Sequence, residues 1–254
     1  MKYMLDNMWK FLKDILAPKK CYSCKKEWHF LCDDCFNKQN NFEWFCYVCK
    51  KKSKHFRIHK KCLIENKLLS WKNFNNKKIY LDKVIVLTHY KNPVIRKLII
   101  AFKFFGKKSI WRELWKRLAE LVEKNIYIQW DNFDSLNYCI IPVPLYFLRK
   151  MMRWFNQSDT IAKKIWQLTK IKYFNTVVTR RKHTRQQSKL SQEKRIENLY
   201  NAFKIDKKQL DKIDNKIVFL VDDVISSGTT LNEIAKILKK NGAKKIIAVC
   251  LASD

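Results

Sequence analysis

The chain has 254 residues, enough for one full domain with a small module attached or for two modest domains, and 47% of them are hydrophobic, which supports a packed core. Fifty-four Lys and Arg against 23 Asp and Glu give a formal net charge of +31, a surface that attracts polyanions such as nucleic acid, nucleotide substrates or anionic lipid. Lys far outnumbers Arg, and Asn, Ile, Phe and Tyr are abundant, which is also what an A/T-biased genome writes; the charge alone therefore assigns no nucleic-acid function.

The N-terminus, MKYMLDNMWKFLKDILAPKK, is no signal peptide, because Asp6 and Asp14 interrupt its apolar positions and no small-residue cleavage site follows. It predicts a short amphipathic helix over residues 1–18, with Met4, Leu5, Met8, Trp9, Leu12, Ile15 and Leu16 mostly on one side for packing on the rest of the protein. No stretch reaches the roughly 18 to 20 apolar residues of a membrane-spanning helix, so a soluble, cytoplasmic protein is expected.

Residues 19–66 form the cysteine-rich part. Of nine cysteines, seven precede residue 63, as Cys21-x-x-Cys24, Cys32-x-x-Cys35, Cys46-x-x-Cys49 and His59-x-x-Cys62. In a cytosolic chain such cysteines read as metal ligands rather than disulfides. Two thiolates two residues apart turn toward one tetrahedral ion, so four knuckles predict two structural zinc sites, with imidazole replacing one thiolate. Sequential pairing of the knuckles is the simplest, and spacing alone leaves an interleaved pairing open. Metal would supply much of the folding free energy of so short a module.

Residues 80–254 read as an α/β body. Strands are predicted over residues 83–90, 138–144, 176–179, 217–221 and 245–251, and helices over 94–105, 111–124, 160–168 and 230–240, with a long polar stretch from Arg180 to Asn198. This alternation implies a mostly parallel sheet with flanking helices on both faces. Cys139 and Cys250 fall within strands as buried small residues. Ligands of such sheets bind beyond the carboxyl ends of the strands, where VFLVDDVISSGTTL leaves its strand. Val224 to Thr230 is expected to turn into a helix whose free N–H groups and positive dipole end suit a phosphate. Ser226, Ser227, Thr229 and Thr230 add hydroxyls, and Gly228 permits close backbone approach. No Gly-Lys-Ser/Thr follows, which argues against ATP hydrolysis. Asp222 and Asp223 lie about one ribose ring away and suit a vicinal diol or Mg²⁺. The stretch thus fits a ribose 5-phosphate at both ends.

VFLVDDVISSGTT resembles the 5-phosphoribosyl 1-pyrophosphate (PRPP) motif of type I phosphoribosyltransferases, and nearly the whole chain is similar to one branch of them, the ComF family, whose members include the GntX-like proteins. IPVPLYFLRKMMRWFNQSDTIAK resembles its PVPL…R.RGFNQ segment; Arg180, Lys182, Thr184, Gln187, Leu190, Arg195, Asn198 and Ala202-Phe203 resemble its R.R.T..Q..L….R..N…AF stretch; and the knuckles resemble its N-terminal double zinc ribbon. The resemblance implies a type I phosphoribosyltransferase-like fold that binds PRPP with Mg²⁺, Asp222 and Asp223 holding the ribose hydroxyls and Ser226 to Thr230 the 5-phosphate. Val143 and Pro144, with Arg153 and Asn156, would face the pyrophosphate, and Arg180, Lys182 and Arg185 would close over it in a mobile hood. Trp154 replaces the family's glycine, and Lys182, in place of an arginine, would bind phosphate as a point charge. The resemblance also implies a link to DNA uptake in natural transformation. A second reading, from interleaved basic and aromatic residues in KLIIAFKFFGKK (Lys97 to Lys108) and Arg149 to Trp154, is a non-catalytic component that binds single-stranded DNA on this scaffold or senses a phosphorylated ribose. The first of these stretches also reads as a buried helix with a basic exposed side.

Overall fold

The computed structural model describes residues 20–39, 45–49, 51–64, 78–105, 108–127, 134–145, 155–181 and 201–253. The predicted N-terminal helix, Arg149 to Trp154 and the polar stretch from Lys182 to Asn198 lie outside them.

Val-, Ile- and Leu-rich runs form β1 (Lys83–His89), β2 (Tyr138–Pro142), β5 (Ile217–Ile225) and β6 (Lys245–Ser253), while β3 (Val178–Arg180) and β4 (Phe203–Ile205) pair as a separate antiparallel ribbon. The four long strands make one parallel sheet in the order β1-β6-β5-β2. They are buried on both faces, as parallel strands under helices must be. The sequence predicts that β5 stops at Val221; it continues to Ile225 because β6 is equally long and pairs Asp222 with Cys250, Val224 with Ala252 and Ile225 with Ser253. The short β4 was hidden beside the polar stretch.

Successive strand residues face opposite sides, and two apolar layers result. Helices α4 (Lys108–Tyr127) and α5 (Gln157–Thr169) cover one face, with Leu118, Val122, Ile161 and Ile165 against Ile140, Phe219 and Val249. Helix α6 (Thr229–Lys240) covers the other, with Leu231, Ile234 and Leu238 among Val218, Leu220 and Ala248. Helix α3 (Pro93–Phe105) starts with proline at its first position, where the missing N–H is harmless, and the Asn92 side chain accepts from Val94 and Ile95 N–H at 3.0 and 3.2 Å. Its Leu98 and Ile99 are fully buried, so this stretch turns an apolar face to the sheet. No described helix is long and apolar enough to cross a membrane.

The cysteine-rich head carries two short helices, α1 (Asp33–Gln39) and α2 (Lys60–Ile64). Its Leu31, Phe36 and Phe56 join the α4–α5 layer, and its Tyr47, Val48 and Ile58 join the α6 layer. The head therefore straddles the β1 edge, where Arg57 bridges to Lys83. Arg117 of α4 fastens it: the guanidinium donates to the Leu31 carbonyl at 3.1 Å, pairs with Asp33 and lies 4.3 Å from the Phe36 ring centre. Among the described residues six other than glycine hold left-handed backbone: Lys25, Trp28, Phe56, Lys170, Asn201 and Asn215. Lys170 closes α5 in the place glycine usually takes.

The segment before β1 is clamped onto α6 by Asn232, which is 2% exposed; its Oδ1 accepts from Tyr80 N–H at 2.8 Å and its Nδ2 donates to the Lys78 carbonyl at 3.1 Å. Replacing Asn232 with Ala strands the Tyr80 N–H, and a loss of about 1–3 kcal/mol is expected in a urea unfolding curve.

Candidate functional site

Strand β5 carries its two aspartates to the carboxyl edge of the sheet. Asp222 is half-buried, and its Oδ1 accepts from the Ser158 hydroxyl and from the Asp223 N–H, both at 2.9 Å. Ser158 lies in the first turn of α5 and is 3% exposed. Cys250 is the cross-strand neighbour of Asp222. Burial first, and then the charges of Asp222 and Asp223, push its thiol well above the ordinary range, so an un-ionised sulfur lies beneath the acidic pair.

The chain leaves β5 through Ser226 and Ser227 and enters α6 at Gly228, which caps the helix with φ 71° and ψ 1°. A side chain at this φ would be strained, which is the physical reason for glycine. Gly228 brings no capping side chain to α6. Its first-turn N–H groups are thus available to an anion, with the dipole's positive end behind them. Ser227 Oγ and Thr229 Oγ1 lie 2.8 Å apart, and Thr229 is buried while Ser226 and Thr230 reach solvent.

A second helix start adjoins the same aspartate. Asn156, at the N-cap of α5, donates through Nδ2 to the Val143 carbonyl at 3.0 Å, beside Pro144. Its Oδ1 and the Nε2 of Gln157 are buried with no hydrogen-bond partner among the described residues. Ser158 then reaches Asp222. Two helix N-termini therefore flank a pair of carboxylates, an arrangement that suits a ligand bearing both anionic groups and hydroxyls.

Asp222, Asp223, Ser226, Ser227, Gly228, Thr229 and Thr230 are contiguous at this edge, and Val143 and Asn156 border them through α5. Val224 is held in the sheet ladder opposite Ala252. Arg180 sits on the β3–β4 ribbon with its guanidinium 5.3 Å from the Phe203 ring centre. Arg153, Lys182 and Arg185 fall outside the described residues. Sequence reasoning missed Ser158, although it follows Asn156 and Gln157 within one run. It also missed Tyr47, whose hydroxyl donates to the Ser226 carbonyl across 179 residues, a contact no local pattern signals.

The eight candidate metal ligands form two clusters: Cys21, Cys24, Cys32 and Cys35, and Cys46, Cys49, His59 and Cys62, the ligand atoms of each lying within 4.8 Å of one another. The knuckles are thus paired sequentially. Zn–S bonds of about 2.3 Å give tetrahedral S···S edges of about 3.8 Å, and Cys24 Sγ and Cys32 Sγ are 3.6 Å apart. In the second cluster His59 Nδ1 is 3.2 Å from Cys49 Sγ, while Nε2 lies 3.1 Å from the Lys52 carbonyl, to which it can donate. That leaves Nδ1 for the metal, with its partner nitrogen oriented by the backbone. Burial and the adjoining thiols of Cys49 and Cys46 push Cys62 up to about 12. A cation among the three thiols and the imidazole favours their ligating forms, and the donor sets fit zinc.

The chain matches the phosphoribosyl transferase domain family over residues 157–254, the segment from α5 through β6. Competence protein F of Haemophilus influenzae is 33% identical over 232 residues, a span of 89% of this chain and 93% of that protein. DNA utilization protein YhgH of Escherichia coli O6:H1 is 36% identical over 112 residues, or 44% of this chain and 48% of YhgH, and the K12 protein is 35% identical over the same length. With a phosphoribosyl transferase-type body, two ligand clusters at its head and a similarity that runs nearly end to end, the chain belongs to the ComF family of competence proteins.

Proposed function

We propose that the β5–α6 edge binds 5-phosphoribosyl 1-pyrophosphate together with Mg²⁺. The observation that carries this reading is the direct succession, in one strand and loop, of the Asp222–Asp223 pair and an uncapped helix start rich in hydroxyls. The 5-phosphate would rest on the N–H groups and hydroxyls of Ser226 to Thr230, and the ribose diol would donate to Asp222 and Asp223. Mg²⁺, bound with the pyrophosphate and reached by these carboxylates directly or through water, would neutralise charge on the leaving group.

The same groups suffice for transfer of the phosphoribosyl group to a nitrogen nucleophile. As pyrophosphate leaves C1, the ribose gains cationic character, and the protein's task is to position the sugar, stabilise the departing charge and exclude water. No covalent nucleophile is needed. Val143, Pro144, Arg153 and Asn156 are assigned to the pyrophosphate side, and Arg180, Lys182 and Arg185 to a basic hood. The names of the relatives, a competence protein and a DNA utilization protein, support a role in the handling of incoming DNA, and we assign that role to the cytoplasm. The interleaved basic and aromatic residues of Lys97 to Lys108 and Arg149 to Trp154, on a chain of net charge +31, support a second reading, in which single-stranded DNA is bound on this scaffold and the ribose site acts as a sensor.

In calorimetric titration with PRPP and Mg²⁺, the zinc-loaded protein should bind saturably, and an Asp222→Asn, Asp223→Asn variant should bind roughly ten- to a hundredfold more weakly, the scale of lost charge-assisted hydrogen bonds. A folded wild type that ignores PRPP sinks the reading. If DNA binding is separate, single-stranded DNA affinity will fall steeply with salt and be indifferent to the two substitutions. For the head, two zinc ions per chain are expected on mercurial titration, and Cys62→Ser should lower the count to one; a full count in the variant would remove Cys62 from the ligand set.

A further inference from the structure

The second metal cluster and the loop after β5 meet at Tyr47. This residue lies between the ligands Cys46 and Cys49, is 2% exposed, and donates its hydroxyl to the backbone carbonyl of Ser226. Its ring cannot swing independently. The knuckle is closed by Cys46 N–H on the Lys51 carbonyl at 2.8 Å, and Cys46 and Val48, on either side of Tyr47, are 0% and 1% exposed. The side chain is packed in the α6 layer together with Ile58 and Cys62. The place of the hydroxyl is therefore set by the turn that presents two metal ligands.

What the hydroxyl holds is a peptide next to the most adaptable residue of the loop. In a trans peptide the carbonyl and the following N–H point in opposite directions. With the Ser226 carbonyl fixed on Tyr47, the Ser227 N–H is turned away from the head. Ser227 is also the residue whose Oγ lies 2.8 Å from Thr229 Oγ1, immediately before the left-handed Gly228 that starts α6. Without the tyrosine hydroxyl the 226–227 peptide is free to rotate beside a glycine that resists little. A loop that must be ordered by its ligand binds that ligand less tightly than one ordered beforehand.

We propose that Tyr47 is a positioning residue for this loop, through which the second metal centre sets how tightly a 5-phosphate is held. The inference rests on the phosphoribosyl-binding reading above. Metal bound at Cys46, Cys49, His59 and Cys62 fixes the knuckle, the knuckle fixes Tyr47, and Tyr47 fixes the Ser226 carbonyl. The acidic pair is untouched by this chain of contacts, so ligands are affected according to whether they carry the sugar phosphate.

The test uses the full-length zinc-loaded protein and Tyr47→Phe, which removes the hydroxyl and keeps the ring. Ribose 5-phosphate and PRPP with Mg²⁺ should each bind about three- to tenfold more weakly to the variant, the loss of roughly one net hydrogen bond, with Mg²⁺-pyrophosphate unchanged. Amide hydrogen exchange over Ser226 to Thr230, read without ligand, should be faster in the variant, and metal content should be equal. Equal affinity with equal loop exchange overturns the proposal, and so does loss of metal from the variant, which would make Tyr47 a part of the metal site's own fold. If the wild type binds none of the three ligands, the phosphoribosyl reading fails, and loop exchange alone decides whether Tyr47 positions the loop. Chelation of the wild type should speed the same loop amides while β6 stays protected; slow loop exchange with the metal gone overturns the role of the metal.

Discussion

Parallel pairing of β5 with β6 is the interaction on which the rest of the molecule depends. Both strands are nine residues long and almost wholly buried, and their register carries the ladder through Asp222 to Ile225 opposite Ser253. Two carboxylates are thereby held in strand geometry at a sheet edge. Beneath them the fully buried Cys250 is small enough to fit and stays un-ionised. An ionised group at that position would add a third negative charge to a site that already concentrates two. Of the three glycines in the chain, two bracket α6: Gly228 at its start, and Gly242 just beyond its end, where φ is +99° and a Cβ would come within 2.5 Å of Asp214 Oδ1. The helix behind the loop is thus fixed at both ends by backbone that other residues adopt poorly.

The head solves the problem of a short chain segment in an unusual direction. Large side chains of its described residues join the two layers of the body. Leu31, Phe36 and Phe56 go to one face of the sheet, Tyr47, Val48 and Ile58 to the other, and each metal cluster sits beside the group it anchors. The gathering of eight ligand atoms into two clusters and burial on the body are consequently complementary parts of one solution to the shortage of apolar area in small modules.

Much of this was legible in the sequence where burial is two-sided. The β1, β2, β5 and β6 runs and the α3 to α6 periods need no tertiary information, because continuous Val-, Ile- and Leu-rich stretches and 3.6-residue spacing each have one good explanation. The end of β5 was misread for a physical reason: adjacent aspartates look like an exit from a strand, but the length of the partner decides where a ladder stops. Spacing could not choose between sequential and interleaved knuckles, since C-x-x-C fixes the local turn and says nothing about which turns meet. Ser158 and Tyr47 were invisible because their partners, Asp222 and Ser226, lie 64 and 179 residues away.

Among the described residues, three of the six left-handed ones other than glycine fall within the ligand loops of the head: Lys25 and Trp28 between Cys24 and Cys32, and Phe56 between Cys49 and His59. Each opposes its own backbone by roughly 1–2 kcal/mol. Glycine at these places would let the loops close with little regard to what they enclose. Built from lysine, tryptophan and phenylalanine they close against resistance, and the order of the head leans on whatever draws its ligand atoms together.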